Sequence, residues 1–384
     1  MNNLQWAPIG PPQPVPPPLP AVRVDFTGDR GEFRRLVTRG AALELVTFGF
    51  YRFWLVTDMR RHLWSNTSVD GDAAEYTGRA RELLIGFLFA LAILVPIYLG
   101  YFLVTIEFER WRSFASTPLF ISFYAFGQFA IYRARRYRLT RTVWRGVRFW
   151  MDGSGWVYAL RAMLWGLLVF MTLGLALPWR EASLERYKMR HTYYGNLVGD
   201  FEGRGSEFFK RAWGLWICSP LAIMFLPLAP FFYAEFKARE WRWWLNGIRI
   251  GGVSLDSSLP HDAFYGLYWK VIGWSVLLMS VLGVYVAGCT VAVVRLSGLP
   301  FEQILGPDAA RSIPLLASIM IGYFAVALAA NIVMRVYLQR DLWARVLETV
   351  QVRHIAAASD VEARGELASA LGEGFADGLD VAGF

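Results

Sequence analysis

A chain of 384 residues with 55% hydrophobic and only 18% charged side chains is too poor in charge for an ordinary soluble domain, which carries roughly 25%. A net charge of +8 with a mean hydropathy of +0.33 fits membrane-length apolar runs whose basic loops face anionic headgroups, and argues against nucleic acid as the partner. Two cysteines in apolar runs, Cys218 and Cys289, and four scattered histidines give no disulfide framework and no metal spacing, so no metal or cofactor is predicted.

Residues 1–22 form a Pro-rich leader. Its run from Pro8 to Pro20 cannot be helical and reads as an extended, disordered tail without the pattern of a signal peptide. Seven apolar stretches follow, at about 36–56, 82–107, 115–133, 157–178, 213–234, 268–294 and 312–337. Each approaches the ~20 residues a spanning helix needs. The linkers 107–114 and 295–311 carry only Arg110 and Arg112, then Arg295 and Arg311, which leaves 35 of the 39 basic residues elsewhere. The positive-inside rule places those two linkers outside and the rest, with both termini, in the cytoplasm.

The expected fold is therefore an α-helical polytopic membrane protein with about four spanning helices in two hairpins. Stretches 36–56, 157–178 and 213–234 have basic flanks at both ends and read as interfacial, re-entrant or midway-broken helices. Gly49, Gly174, Pro220, Pro227 and Pro230 supply the breaks. Seven full crossings are the plainer alternative. Short cytoplasmic β-hairpins are expected at Gly146-Val147-Arg148-Phe149 and Gly247-Ile248-Arg249-Ile250, where apolar and basic residues alternate.

Two motifs repeat along the chain. The first, Arg-x-x-Trp, stands at Arg61 and Trp64, Arg141 and Trp144, and Arg340 and Trp343, with looser copies at Arg186 and Arg242. Each copy follows an apolar run, as do many of the 17 Trp, 17 Tyr and 28 Phe, the pattern of an interfacial aromatic belt. These residues are candidate anion or lipid-headgroup ligands, and equally simple interface anchors. The second motif, aromatic-x-Gly followed by Glu, stands at Phe26-Thr27-Gly28, Tyr76-Thr77-Gly78 and Phe201-Glu202-Gly203. It reads as a helix start, with the carboxylate complementing free N–H groups. Tandem repetition divides the chain into units at 23–148 and 201–358, a partial unit at 149–200 and a mobile tail at 359–384.

Phe26-Thr27-Gly28 with Glu32-Phe33, Thr47-Phe48-Gly49-Phe50-Tyr51 leading to Trp54, Thr172-Leu173-Gly174 before Pro178-Trp179, and the ending Gly372-Glu373-Gly374-Phe375 carry a resemblance. The chain resembles the YjgN-like family of bacterial inner-membrane proteins over nearly everything after residue 22. It departs from the family pattern at Phe53-Trp54, where proline–tryptophan is usual. The resemblance implies a polytopic inner-membrane protein and contributes no activity.

No serine-nucleophile, zincin or P-loop motif is present, so a non-enzymatic role is expected. Glu44 is the one carboxylate well inside an apolar stretch. It reads either as an intramembrane functional group or as a carboxylate matched by an arginine. The expected role is a membrane component binding anionic lipid, a protein partner or a second copy at its basic face. Transport of a small solute or ion is the alternative, favoured by the repeats and partial helices.

Overall fold

Five times among the described residues, a strand leads into a pair of helices that ends in another strand. The computed structural model describes residues 21–107, 112–224, 229–297, 313–365 and 367–368. The first unit comprises β1 (Val22–Phe26), α1 (Arg30–Val46), α2 (Arg52–Ser65) and β2 (Thr67–Val69). The second comprises β3 (Asp72–Ala73), β4 (Glu75–Tyr76), α3 (Ala80–Glu107), α4 (Arg112–Thr140) and β5 (Thr142–Trp144). β6 (Val147–Met151), α5 (Gly155–Met171), α6 (Leu177–Arg190) and β7 (Thr192–Tyr194) make the third. β8 (Leu197–Phe201), α7 (Gly205–Met224), α8 (Ala229–Gly247) and β9 (Ile248–Ile250) make the fourth. The last runs through β10 (Val253–Ser257), α9 (Tyr265–Ser297) and α10 (Ile313–Met334). It then passes through a π-helical segment (Arg335–Asp341) and α11 (Leu342–Leu347) to β11 (Val350–Arg353).

These strands do not form separate hairpins. They join in one 11-stranded sheet of order β3-β2-β1-β11-β10-β9-β8-β7-β6-β5-β4, antiparallel throughout. The two end strands, β3 and β4, are separated in sequence by Ala74 alone, so the sheet curls into a nearly closed, barrel-like ring. Pairing of Val22 with Val352 joins the first unit to the last. Closure of this kind removes most of the open edge that short strands otherwise present.

The plain polytopic helical fold with short hairpins is thereby corrected. Strands of two to five residues leave almost no periodic signal, and their partners lie in other units. The number of long apolar helices is corrected too. Three, not four, are long and apolar enough to cross a membrane among the described residues: Ala80–Val104, Tyr265–Leu296 and the composite Leu315–Leu347. The second half of α4 carries Arg133, Arg135, Arg136 and Arg138. Stretches 36–56 and 157–178 each break into two helices, at residues 47–51 and 172–176. In 213–234, α7 ends at Met224 and α8 begins at Ala229. Residues 108–111 and 298–311 of the two arginine-poor linkers, Pro227, most of the leader and the tail beyond 368 lie outside the described residues.

Side-chain exposure separates the elements. Ile85, Leu103, Val284, Leu296 and Ile321 are all more than 60% exposed on the three long helices, an apolar surface of membrane type rather than of a soluble monomer. α2, by contrast, buries Phe53, Leu55, Met59 and Leu63. Around the sheet lie several separate cores, including one from Val24, Phe264, Val350 and Val352 and one from Phe201, Phe208 and Trp243. The chain after β11 returns across the sheet. Glu362 N–H donates to Asn196 Oδ1 at 3.3 Å, and Gly365 lies so close to Trp150 that a Cβ would meet its ring at 2.3 Å.

Candidate functional site

The two sequence motifs prove to be partners. At the end of β1 the Phe26 ring folds over the glycine two residues later, where a Cβ on Gly28 would meet Cζ at 2.5 Å. Tyr76 covers Gly78 and Phe201 covers Gly203 in the same way. An arginine from the preceding unit then takes up each glycine carbonyl. Arg61 Nη2 donates to Gly78 O at 2.9 Å and Arg186 Nη2 to Gly203 O at 3.0 Å. Arg340 donates to Gly28 O and stacks over the Phe26 ring, so the last unit clasps the first.

Other motif residues are engaged within the ring as well. Arg141 pairs with Glu82 at 2.6 Å, and Trp144 Nε1 donates to Asp72 O at 3.1 Å. Trp64 and Trp343 stack with centroids 5.2 Å apart. Their indole N–H groups donate to Thr142 Oγ1 and Thr67 Oγ1, both at 3.1 Å. Arg242 is exposed and has no hydrogen bond or ion pair among the described residues.

Glu44 meets an arginine. Its Oε2 lies 3.1 Å from Arg335 Nη2, which links α1 to the start of the π-helical segment. Arg335 sits in the same apolar stretch as Asn331, one turn on, and only the fold identifies it as the counterion. π-Helical insertions are found frequently at functional sites. Here the insertion carries Arg335, Arg340 and Asp341, all of which reach toward the first unit.

α1 packs against α10, and residues of both helices line two cavities. One, of about 520 Å³, is lined by Arg30, Arg34, Trp274, Tyr337 and the apolar Ile332 and Val333. In it Arg30 lies over the Tyr337 ring at 4.7 Å and binds Asp341 at 3.0 Å. Arg34 has no partner among the described residues, and Lys270 is near enough to act electrostatically on Tyr337. The other cavity, of about 440 Å³, holds Glu44 and Asn331 between apolar walls.

A third cavity, of about 340 Å³, is built differently. Arg135, Lys188 and Lys237 face Glu181, Glu185 and Glu240 there, beside Trp241, Trp243 and Trp244. Burial works to raise the Glu185 carboxyl, but Arg135 and Lys188 at 2.7 and 2.6 Å hold it down at about 2. Glu181 is pushed up by burial against the opposing pull of Arg180. This charged chamber lies among α4, α6 and α8 and does not include Glu44. No cluster of three His, Cys, Asp or Glu side chains able to hold a metal occurs among the described residues.

Comparison with known families decides the identity. A family described as "Bacterial protein of unknown function (DUF898)" matches residues 21–221 and 210–378. The chain belongs to this family. It is the same family as the YjgN-like proteins that the sequence resembles. No curated protein and no solved structure matches this DUF898 chain.

Proposed function

We propose that this DUF898 protein is an integral protein of the bacterial inner membrane that holds an anionic phospholipid at the foot of its apolar arms. The observation that carries the reading is the 520 Å³ groove between α1, α9 and α10. Arg30 and Arg34 line one end beside Trp274 and Tyr337, while Ile332 and Val333 continue the other along α10. A phosphate at the guanidinium end and an acyl chain along the apolar wall satisfy both halves, and aromatic rings belong at headgroup level. The split of 35 basic residues against four puts the ring of strands and this groove on the cytoplasmic side. Because most Arg-x-x-Trp residues are occupied inside the ring, the headgroup ligands in this reading are Arg30, Arg34 and Lys270, with Arg242 the motif arginine left exposed.

The charged chamber among α4, α6 and α8 favours a second reading, passage of a small polar solute, because three cations and three carboxylates gathered in one cavity offer such a solute partners of both signs. Native mass spectrometry of the purified protein with phosphatidylglycerol and phosphatidylethanolamine separates the two. Each juxtamembrane cation is worth about 1 kcal/mol near an anionic surface. Arg34→Ala with Lys270→Ala is therefore expected to remove most of a preference for phosphatidylglycerol. A parent protein that retains both lipids equally overturns the phospholipid reading.

A further inference from the structure

The charges of the chamber among α4, α6 and α8 fall into two clusters of opposite excess. In one, Glu185 is shared by two cations, Arg135 at 2.7 Å and Lys188 at 2.6 Å. In the other, Lys237 pairs with Glu240 at 2.6 Å and also feels the charge of Glu181. Arg180, which is not part of the chamber wall, holds Glu181 through Oε1 alone. Bonding capacity is left over in both clusters. Glu181 Oε2 and Glu240 Oε1 accept no hydrogen bond among the described residues. Their side chains are 32% and 22% exposed, and neither oxygen is sealed from water. Lys188 gives Glu185 one of its three protons and keeps two. Burial pushes the Glu181 carboxyl up, so a cation brought to its open oxygen would be welcome.

We propose that the chamber binds a free aromatic α-amino acid, with its carboxylate on Lys188 beside Arg135 and its ammonium on Glu181 and Glu240. Three cations against three carboxylates give a ligand of one sign no net attraction, whereas a zwitterion finds a partner for each end. Trp241, Trp243 and Trp244 supply the rest of the wall. The rings of Trp241 and Trp244 stand at 89° with centroids 5.4 Å apart, a corner against which a third ring can pack. No aliphatic side chain lines the chamber among the described residues, so an acyl chain has no wall there and a free solute fits better than a lipid. A volume of about 340 Å³ lies at the small end of ligand sites. The site is the one on which the second reading above rests, but binding there requires no passage through the membrane.

The test is calorimetric titration of the full-length protein in detergent with L-phenylalanine, L-phenylalaninamide and N-acetyl-L-phenylalanine. The amide keeps only the ammonium, and the acetyl derivative keeps only the carboxylate. Phenylalanine is expected to bind about tenfold tighter than either, as loss of one charge-assisted hydrogen bond implies. Glu181→Gln should weaken phenylalanine and its amide and spare the acetyl derivative. Lys188→Gln should weaken phenylalanine and the acetyl derivative and spare the amide. Equal binding of the three ligands, tighter binding of either derivative, or no binding of phenylalanine overturns the proposal. So does a uniform loss of all three ligands in both variants. If a variant fails to fold, the three-ligand comparison on the parent still decides. Binding without uptake into proteoliposomes discards passage and keeps the proposal. Arg34→Ala with Lys270→Ala should leave phenylalanine binding unchanged, which separates this site from the phospholipid groove.

Discussion

Arg340 and Gly28 stand 312 residues apart and are joined by a hydrogen bond from the guanidinium to the glycine carbonyl. The same guanidinium pairs with Asp341 at 2.9 Å and lies over Phe26. One side chain thus fastens the end of the fifth unit to the start of the first, beside the Val22–Val352 strand pair.

Removing this clasp weakens ring closure. Arg340→Ala is expected to cost about 1–3 kcal/mol, the penalty of stranding a charge-assisted bond. Arg340→Lys restores little, since an ammonium cannot span the carbonyl, the carboxylate and the ring together. Thermal unfolding in detergent, with amide exchange at β1 and β11, reads both effects. Arg242→Ala, on an exposed side chain, serves as the neutral control. An Arg340→Ala protein that melts with the parent would show that strand pairing alone closes the ring.

Acid should loosen the charged chamber in a defined window. The Glu185 carboxyl is held at about 2 against an ordinary 4.5, so its contribution to stability is complete above pH 4.5. That contribution is lost as pH falls from 4.5 towards 2, because the unfolded chain takes up the proton first. Glu185→Gln leaves Arg135 and Lys188 facing an amide, which at neutral pH is expected to cost about 3–5 kcal/mol. Unfolding midpoints measured from pH 7 to 2 should fall steeply below 4.5 for the parent and much less for Glu185→Gln. Parallel curves would mean that Glu185 is not the group responsible.

Two arm tips repeat one turn down to single hydrogen bonds. Thr47 Oγ1 donates to Leu43 O at 2.7 Å and accepts from Tyr51 N–H at 2.9 Å. Thr172 Oγ1 does the same with Leu168 O and Ala176 N–H, at 2.8 and 3.1 Å. Phe48 and Leu173 share φ of 51°, and the glycines after them have φ of 88° and 91°. Thr47→Val and Thr172→Val should each destabilise their tip by about 1 kcal/mol. Faster amide exchange at residues 47–51 or 172–176, with little change elsewhere, is the expected signature. Unchanged exchange would assign the turn to the glycine alone.

Local chemistry was legible in the sequence where it repeats. Arg-x-x-Trp and aromatic-x-Gly both stand out as recurring motifs, and Gly49 and Gly174 mark breaks that the fold contains. The link between the motifs lies only in their spacing, since Arg61 and Gly78, like Arg186 and Gly203, are 17 residues apart. That constant spacing is the signal that finds it. The sheet gave no comparable cue, because a strand such as Asp72–Ala73 is too short to show alternation and its ring neighbours belong to distant units. In the site, Asn331 was visible as a polar residue in an apolar run. The pairing of Arg335 with Glu44 depends on the packing of α1 against the π-helical segment, which no local pattern encodes.

Sidedness offers the most direct test of the membrane reading. β10 and β11 are paired neighbours, so the arm between them leaves the ring and comes back to it. α9 has 33 residues, a length of about 50 Å, whereas the hydrocarbon core is about 30 Å thick. Its far end therefore emerges opposite the ring if the arm is inserted. Ser65, at the foot of α2, and Leu296, at the end of α9 and 88% exposed, report the two ends. Single cysteines at these positions, in a chain whose Cys218 and Cys289 are replaced by serine, should react with a membrane-impermeant maleimide from opposite faces of oriented vesicles. Ser65→Cys is expected to label from the cytoplasmic face and Leu296→Cys from the other. Labelling of both from one face would leave α9 lying along the membrane rather than through it, and would withdraw the inside–outside assignment drawn from the basic residues.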